Sequence, residues 1–157
     1  VWWGIDECHG DLRLGVTRRT VNLPPNTRVP SVAEAQANLA AMPDPEGPEA
    51  LWQRCAVMLA KEIEAGIPAE IWAMRIGELG MVGVPGETLT EIGLQIKQRS
   101  PFKYTMVVSL ANGCIGYLPT DDAIHAGGYE PEWSPVGFGT ERMLVETGLA
   151  LLGELAK

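Results

Sequence analysis

Residues Met81 to Glu130 read MVGVPGETLTEIGLQIKQRSPFKYTMVVSLANGCIGYLPTDDAIHAGGYE, and the order of breaks along them sets the fold class. The apolar run Leu79 to Val84 stops at Pro85-Gly86, where Glu87 follows. Thr88 and Glu91 have the T-x-x-E spacing of a capping box, which predicts a helix from about there to Arg99 with Leu89, Ile92 and Ile96 inward. Ser100-Pro101 closes it. Tyr104 to Leu110 is a run of mostly β-branched and apolar residues, expected as a buried strand. Asn112-Gly113 turns the chain, and Ile115 to Leu118 is extended again, with Tyr117 near its end. Strand, helix and strand thus alternate, and Glu87, Tyr117 and Tyr129 fall at the breaks.

Upstream, Glu70 to Gly77 and Leu79 to Val84 are two short apolar strands around a Gly-containing turn, the pattern of a hairpin. The segment Pro48 to Ala65 puts Leu51, Cys55, Met58, Leu59 and Ile63 on one helical stripe, with Gln53, Arg54, Lys61 and Glu64 toward water and Gly66 as its cap. Ser31 is placed to cap a helix through Met42. Residues 1 to 23 read as extended, with Pro24, Pro25 and Pro30 ending the sheet pattern. Downstream, a Gly- and Pro-rich loop precedes a last helix capped by Thr140, with Leu144, Gly148, Leu151, Leu152 and Leu155 along one face. The expected fold is α/β, a layered sandwich in which helices flank a mixed β-sheet. Residues 1–157 form either a single domain or the C-terminal portion of a larger catalytic domain.

The chain has 157 residues and a formal net charge of -8. That length suffices for one core, and that charge opposes attraction to phosphate backbones and anionic lipid surfaces. Nucleic acid is excluded as a partner class. No apolar run reaches the roughly 20 residues that a spanning helix needs, and the first residues lack the basic start and apolar core of a signal peptide. The first residue is Val rather than Met, so a preceding segment and the compartment, cytoplasmic or secreted, stay open. Cys8, Cys55 and Cys114 are three widely spaced cysteines without a CxxC pair and read as buried free thiols. Trp2, Trp3, Trp52 and Trp72 read mostly as core residues; Trp133, in a Pro-rich loop, reads first as a packing residue, with the lining of a lipid-accepting groove as its alternative.

By residue type alone, each candidate has two readings. Glu87, where a strand ends and a helix begins, is either a metal ligand or base, or a charge that offsets the helix dipole. Tyr117 reads as a packed ring with a satisfied hydroxyl, since Tyr is an uncommon zinc ligand. Tyr129 follows Gly127-Gly128, which free the backbone to approach closely and aim the ring into a cavity; its alternative is a turn-packing aromatic. His9 and His125, the two histidines, have no partner at ligand spacing and read as structural.

The ordered set PGE, helix, apolar strand, LANG, GY and GGYE resembles the neutral ceramidases and ceramidase-like proteins. The likeness covers about residues 68 to 156 and, more weakly, the VNLP segment from Val21. It implies a zinc-dependent hydrolase of an amide bond, with an amide-containing lipid or other small molecule as substrate. It also implies that Glu87 and Tyr117 bind the metal, that Asn112 matches the family's Asn before that Tyr, and that Tyr129 stabilises the oxyanion. Glu130 organises its loop. The family's two His ligands and its catalytic Ser segment have no counterpart here, and its Arg-bearing helix has Gly93, Leu94 and Gln95 instead. The expectation is therefore a partial site completed by an N-terminal portion or a companion chain. The other reading is a non-catalytic subunit or binding module of the same fold without the metal.

Overall fold

Alternation in Pro68–Ile76 buries Ala69, Ile71 and Ala73 on one side of an extended segment, and small side chains there let a helix lie close. This segment is the second strand of a computed structural model that describes residues 12–157. The readings that fall on Trp2, Trp3, Cys8 and His9 lie outside the described residues. Strands β1 (Leu14–Asn22), β2 (Pro68–Ile76), β3 (Leu79–Gly83) and β5 (Tyr104–Val108) form one sheet in the order β1-β2-β3-β5. The first two pairings are antiparallel and the β3–β5 pairing is parallel, so the sheet is mixed. The hairpin turns at Gly77, whose φ of 58° suits glycine. A separate two-stranded ribbon joins β4 (Glu87–Thr88) to β6 (Tyr117–Leu118).

Helix α3 (Thr90–Arg99) is the crossover that the parallel β3–β5 pair requires, and α6 (Thr140–Ala156) lies with it on one face of the sheet. Their buried Ile92, Ile96, Leu144, Leu151 and Leu152 meet Ile71, Val82 and Val84 in the main core. A second, smaller core joins α1 (Val32–Ala40) to α2 (Leu51–Ala65) through Ala35, Val57 and Ala60. Ser31 caps α1 as expected, its hydroxyl accepting from the Glu34 amide while the Glu34 carboxylate accepts from the Ser31 amide.

Four local expectations change. Leu89, not Thr88, caps α3, because Thr88 pairs as a strand residue and its hydroxyl donates to the Gly86 carbonyl. Gly139, in the left-handed region at φ 88°, precedes α6, so Thr140 is its first residue rather than its cap. Strand β5 is an edge strand with Tyr104 and Met106 exposed, not a buried one. Helix α2 is rotated: Val57 and Ala60 face α1, leaving Leu51, Trp52 and Met58 exposed, since small residues permit the closer approach.

The expected Gly- and Pro-rich loop contains two short helices, α4 (Asp121–Ala126) and α5 (Tyr129–Glu132). The Thr120 hydroxyl accepts from the Ala123 amide and starts α4. Cys55 is half-buried and Cys114, on the loop between β5 and β6, is exposed, so neither is the buried thiol expected. Trp72 is half-buried on the sheet face opposite α6, its ring over Gly83. Among the described residues, no helix is long and apolar enough to cross a membrane.

Candidate functional site

After β3 the chain continues as Val84-Pro85-Gly86 into β4, held from both sides. On one side the Val84 amide donates to the Val108 carbonyl, and the Ala111 and Leu110 amides donate to the Val84 and Gly86 carbonyls. On the other, the amides of Ile115, Glu87 and Leu89 donate to the carbonyls of Pro85, Gly116 and Leu118. The chain reverses between these two sets of bonds through Leu110 and Asn112, both in the left-handed region at φ 54° and 60°. Asn tolerates that region; for Leu it is strained and is imposed by the bonds around it.

Strand β4 pairs in parallel with β6, and the register sets Glu87 opposite Tyr117. Directly opposed residues of a pair share one face of the ribbon, so the carboxylate and the phenol are neighbours. Close approach of the two strands depends on Gly86, where an added Cβ would stand 2.8 Å from the Gly116 oxygen and from Leu118.

Tyr129 begins α5 and meets Tyr117 edge to face, with ring centroids 5.9 Å apart and planes at 73°. The β4–β6 register and the start of α5 thus bring together Glu87, Tyr117 and Tyr129, the three residues singled out from sequence. Gly127 and Gly128 act differently from the expectation. An added Cβ at either would meet nothing within 4 Å, so they serve the positive φ values of 76° and 117° rather than a close approach. Tyr129 is correspondingly 55% exposed and open to a ligand, not sunk in a cavity.

The Tyr117 phenol is pushed above the ordinary tyrosine range, first by loss of solvent around it and then by the negative charge of Glu87, with Tyr129 and Glu130 adding to it. Such a cluster of oxygen donors and negative charge attracts a cation, which would reverse the shift by favouring the phenolate. Glu87 and Tyr117 supply two oxygen donors, fewer than the three or four ligands that a zinc site uses. Among the described residues, no group of three or more His, Cys, Asp or Glu side chains is placed to hold a metal. His125 is exposed on α4, its ring centroid 4.7 Å from that of Phe138.

Two positioning residues escape the sequence reading. Asn26 is buried and donates to the Pro131 and Ser134 carbonyls, and the buried Ser134 hydroxyl donates to the Tyr117 carbonyl. Together they tie α5 and the segment after it to β6, which fixes Tyr129 relative to Tyr117. A proline-flanked turn was the sole sequence signal at Asn26, whose partners are more than 100 positions away. Trp133 packs on the exposed Trp52 with ring centroids 4.9 Å apart and lines a groove of about 180 Å³ with Arg28 and Leu59. Trp52 is therefore a surface residue rather than the core residue expected.

No protein-family model and no curated protein matches this chain. Among solved structures it is similar to the neutral ceramidase from Pseudomonas aeruginosa, with a TM-score of 0.51 and 16% identity over 89% of this chain and 29% of that one. A ceramidase complexed with C2 aligns with a TM-score of 0.45 and 21% identity over 57% of this chain and 15% of that one. The chain has the fold of part of a neutral ceramidase, and it spans less than a third of that protein's length.

Proposed function

We propose that this chain carries part of the active site of a zinc-dependent, ceramidase-like amide hydrolase. The observation that supports it is the β4–β6 register, which sets Glu87 beside Tyr117 with Tyr129 edge-on to the same ring. Glu87 and Tyr117 would hold the metal through oxygen, and the remaining donors would come from an N-terminal portion or a companion chain. Bound there, zinc would supply activation of water and polarisation of the substrate carbonyl.

The chain's own residues have three tasks. Glu87 presents its carboxylate at the end of an open strand pair. Tyr129, exposed and hydroxyl-bearing, donates to the amide oxygen as it gains charge, an interaction strongest in the transition state. The groove beside Trp133 accepts an apolar part of an amide-containing lipid or another small molecule.

Tyr129→Phe in the complete protein is expected to keep its zinc and lose about a hundredfold in turnover of an N-acyl amine, the effect of removing one oxyanion donor. Unchanged turnover with zinc retained overturns the role given to Tyr129. The second reading, a binding module without the metal, predicts no zinc in the natural protein and no hydrolysis.

A further inference from the structure

Strands β4 and β6 are two residues each, and an isolated pair that short is marginal in water. Its register nevertheless decides the site, because a slip by one residue would set Glu87 opposite Gly116 or Leu118 instead of Tyr117. The near end is held by the Ile115 amide, which donates to the Pro85 carbonyl. At the far end the Leu89 amide donates to the Leu118 carbonyl, and the two segments then part. Since the pairing is parallel, both leave at that end, one into α3 from Thr90 and the other into α4 from Asp121.

Glu141, on the first turn of α6, reaches both. One carboxylate oxygen accepts from the Gln95 side-chain amide on α3, and the other accepts from the Asp121 backbone amide at 2.9 Å. The Asp121 carboxylate in turn accepts from the Gly139 amide at 2.9 Å, just ahead of α6. Each acidic side chain thus satisfies an amide at the start of the other's helix, where the helix dipole favours negative charge. The anchor is firm: Leu144, Leu151 and Leu152 of α6, Ile92 and Ile96 of α3 and Leu118 of β6 are fully buried in one core.

We propose that Glu141 is a positioning residue of the site: by joining α3 to the start of α4 it closes the fork beyond the β4–β6 pair and holds Glu87 opposite Tyr117. Its bearing on zinc rests on the hydrolase reading; its bearing on the register does not.

Amide exchange in the full natural protein, with chelator present so that no metal contributes, tests it. Glu141→Leu removes both acceptors at similar volume. The Glu87 and Leu89 amides are expected to exchange about tenfold faster in that variant while those of β2 keep their rates, because the opening is local to the ribbon. Glu141→Gln should restore the natural rates: its carbonyl accepts from Asp121, and the Gln95 side chain turns to accept from its amide. Unchanged exchange at Glu87 and Leu89 overturns the proposal, as does equal quickening in β2 or a failure of Glu141→Gln to rescue. If Glu141→Leu does not fold, Gln95→Leu cuts the α3 arm alone and is read in the same way. Without chelator, Glu141→Leu is expected to weaken zinc binding about tenfold, as loss of support around a ligand does. Zinc held as tightly as before overturns its role at the metal. Quickened exchange in a protein whose natural form holds no zinc keeps Glu141 in place and removes the hydrolase reading. Zinc lost in Glu87→Gln, with exchange unmoved by Glu141→Leu, removes Glu141 alone.

Discussion

Gly86 admits no side chain, since a Cβ there would press on the Gly116 carbonyl and Leu118 at 2.8 Å. Gly86→Ala is expected to cost about 1–3 kcal/mol, the range for overpacking a closed contact, and to part Glu87 from Tyr117. Chemical denaturation measures the first effect; loss of the edge contact between Tyr117 and Tyr129 by NMR measures the second. A stability change below about 0.5 kcal/mol would show that β4 shifts freely. The choice of Glu87, Tyr117 and Tyr129 is legible in the sequence because each sits at a break between apolar runs. Their roles are not legible from residue type, which leaves Glu87 a helix-end charge and Tyr117 a packed ring. The tie from Asn26 to Ser134 is invisible there, because it joins segments distant in the chain.

Among the elements, α1 owes its start to the Ser31–Glu34 box. Ser31→Ala is expected to cost about 1 kcal/mol, read by denaturation. The Glu34 carboxyl is held below the ordinary glutamate range by the Ser31 hydroxyl and then by its amide. A depressed folded value stabilises above the unfolded value and is lost as pH falls through the folded one. Amide exchange in α1 should therefore quicken as pH falls through the acid range, beyond the intrinsic trend, and Ser31→Ala should flatten that dependence. Equal pH dependence in both proteins would rule out this coupling. The hairpin, the crossover helix and α6 are legible from apolar period and glycine position. The caps of α3 and α6 are misread because strand pairing claims Thr88 and a left-handed Gly139 takes the cap position. The α2 stripe is misread because contact with α1 selects Val57 and Ala60 over larger side chains.

In the molecule as a whole, one side of the sheet is closed by α3 and α6, and among the described residues the other stands open. Leu151→Ala, fully buried under α6, is expected to cost about 2–5 kcal/mol, whereas Leu14→Ala on the open face should cost less than about 0.5 kcal/mol in the isolated chain. Similar losses from both, by denaturant unfolding, would mean that the open face is covered within this chain. The functional reading stands or falls on Glu87 and Tyr117 being two ligands of one zinc ion. Zinc per chain in the natural protein, prepared without chelator, decides it. Zinc is expected to be retained, and to fall at least about tenfold in Glu87→Gln and in Tyr117→Phe. Zinc content unchanged by both substitutions would overturn the assignment.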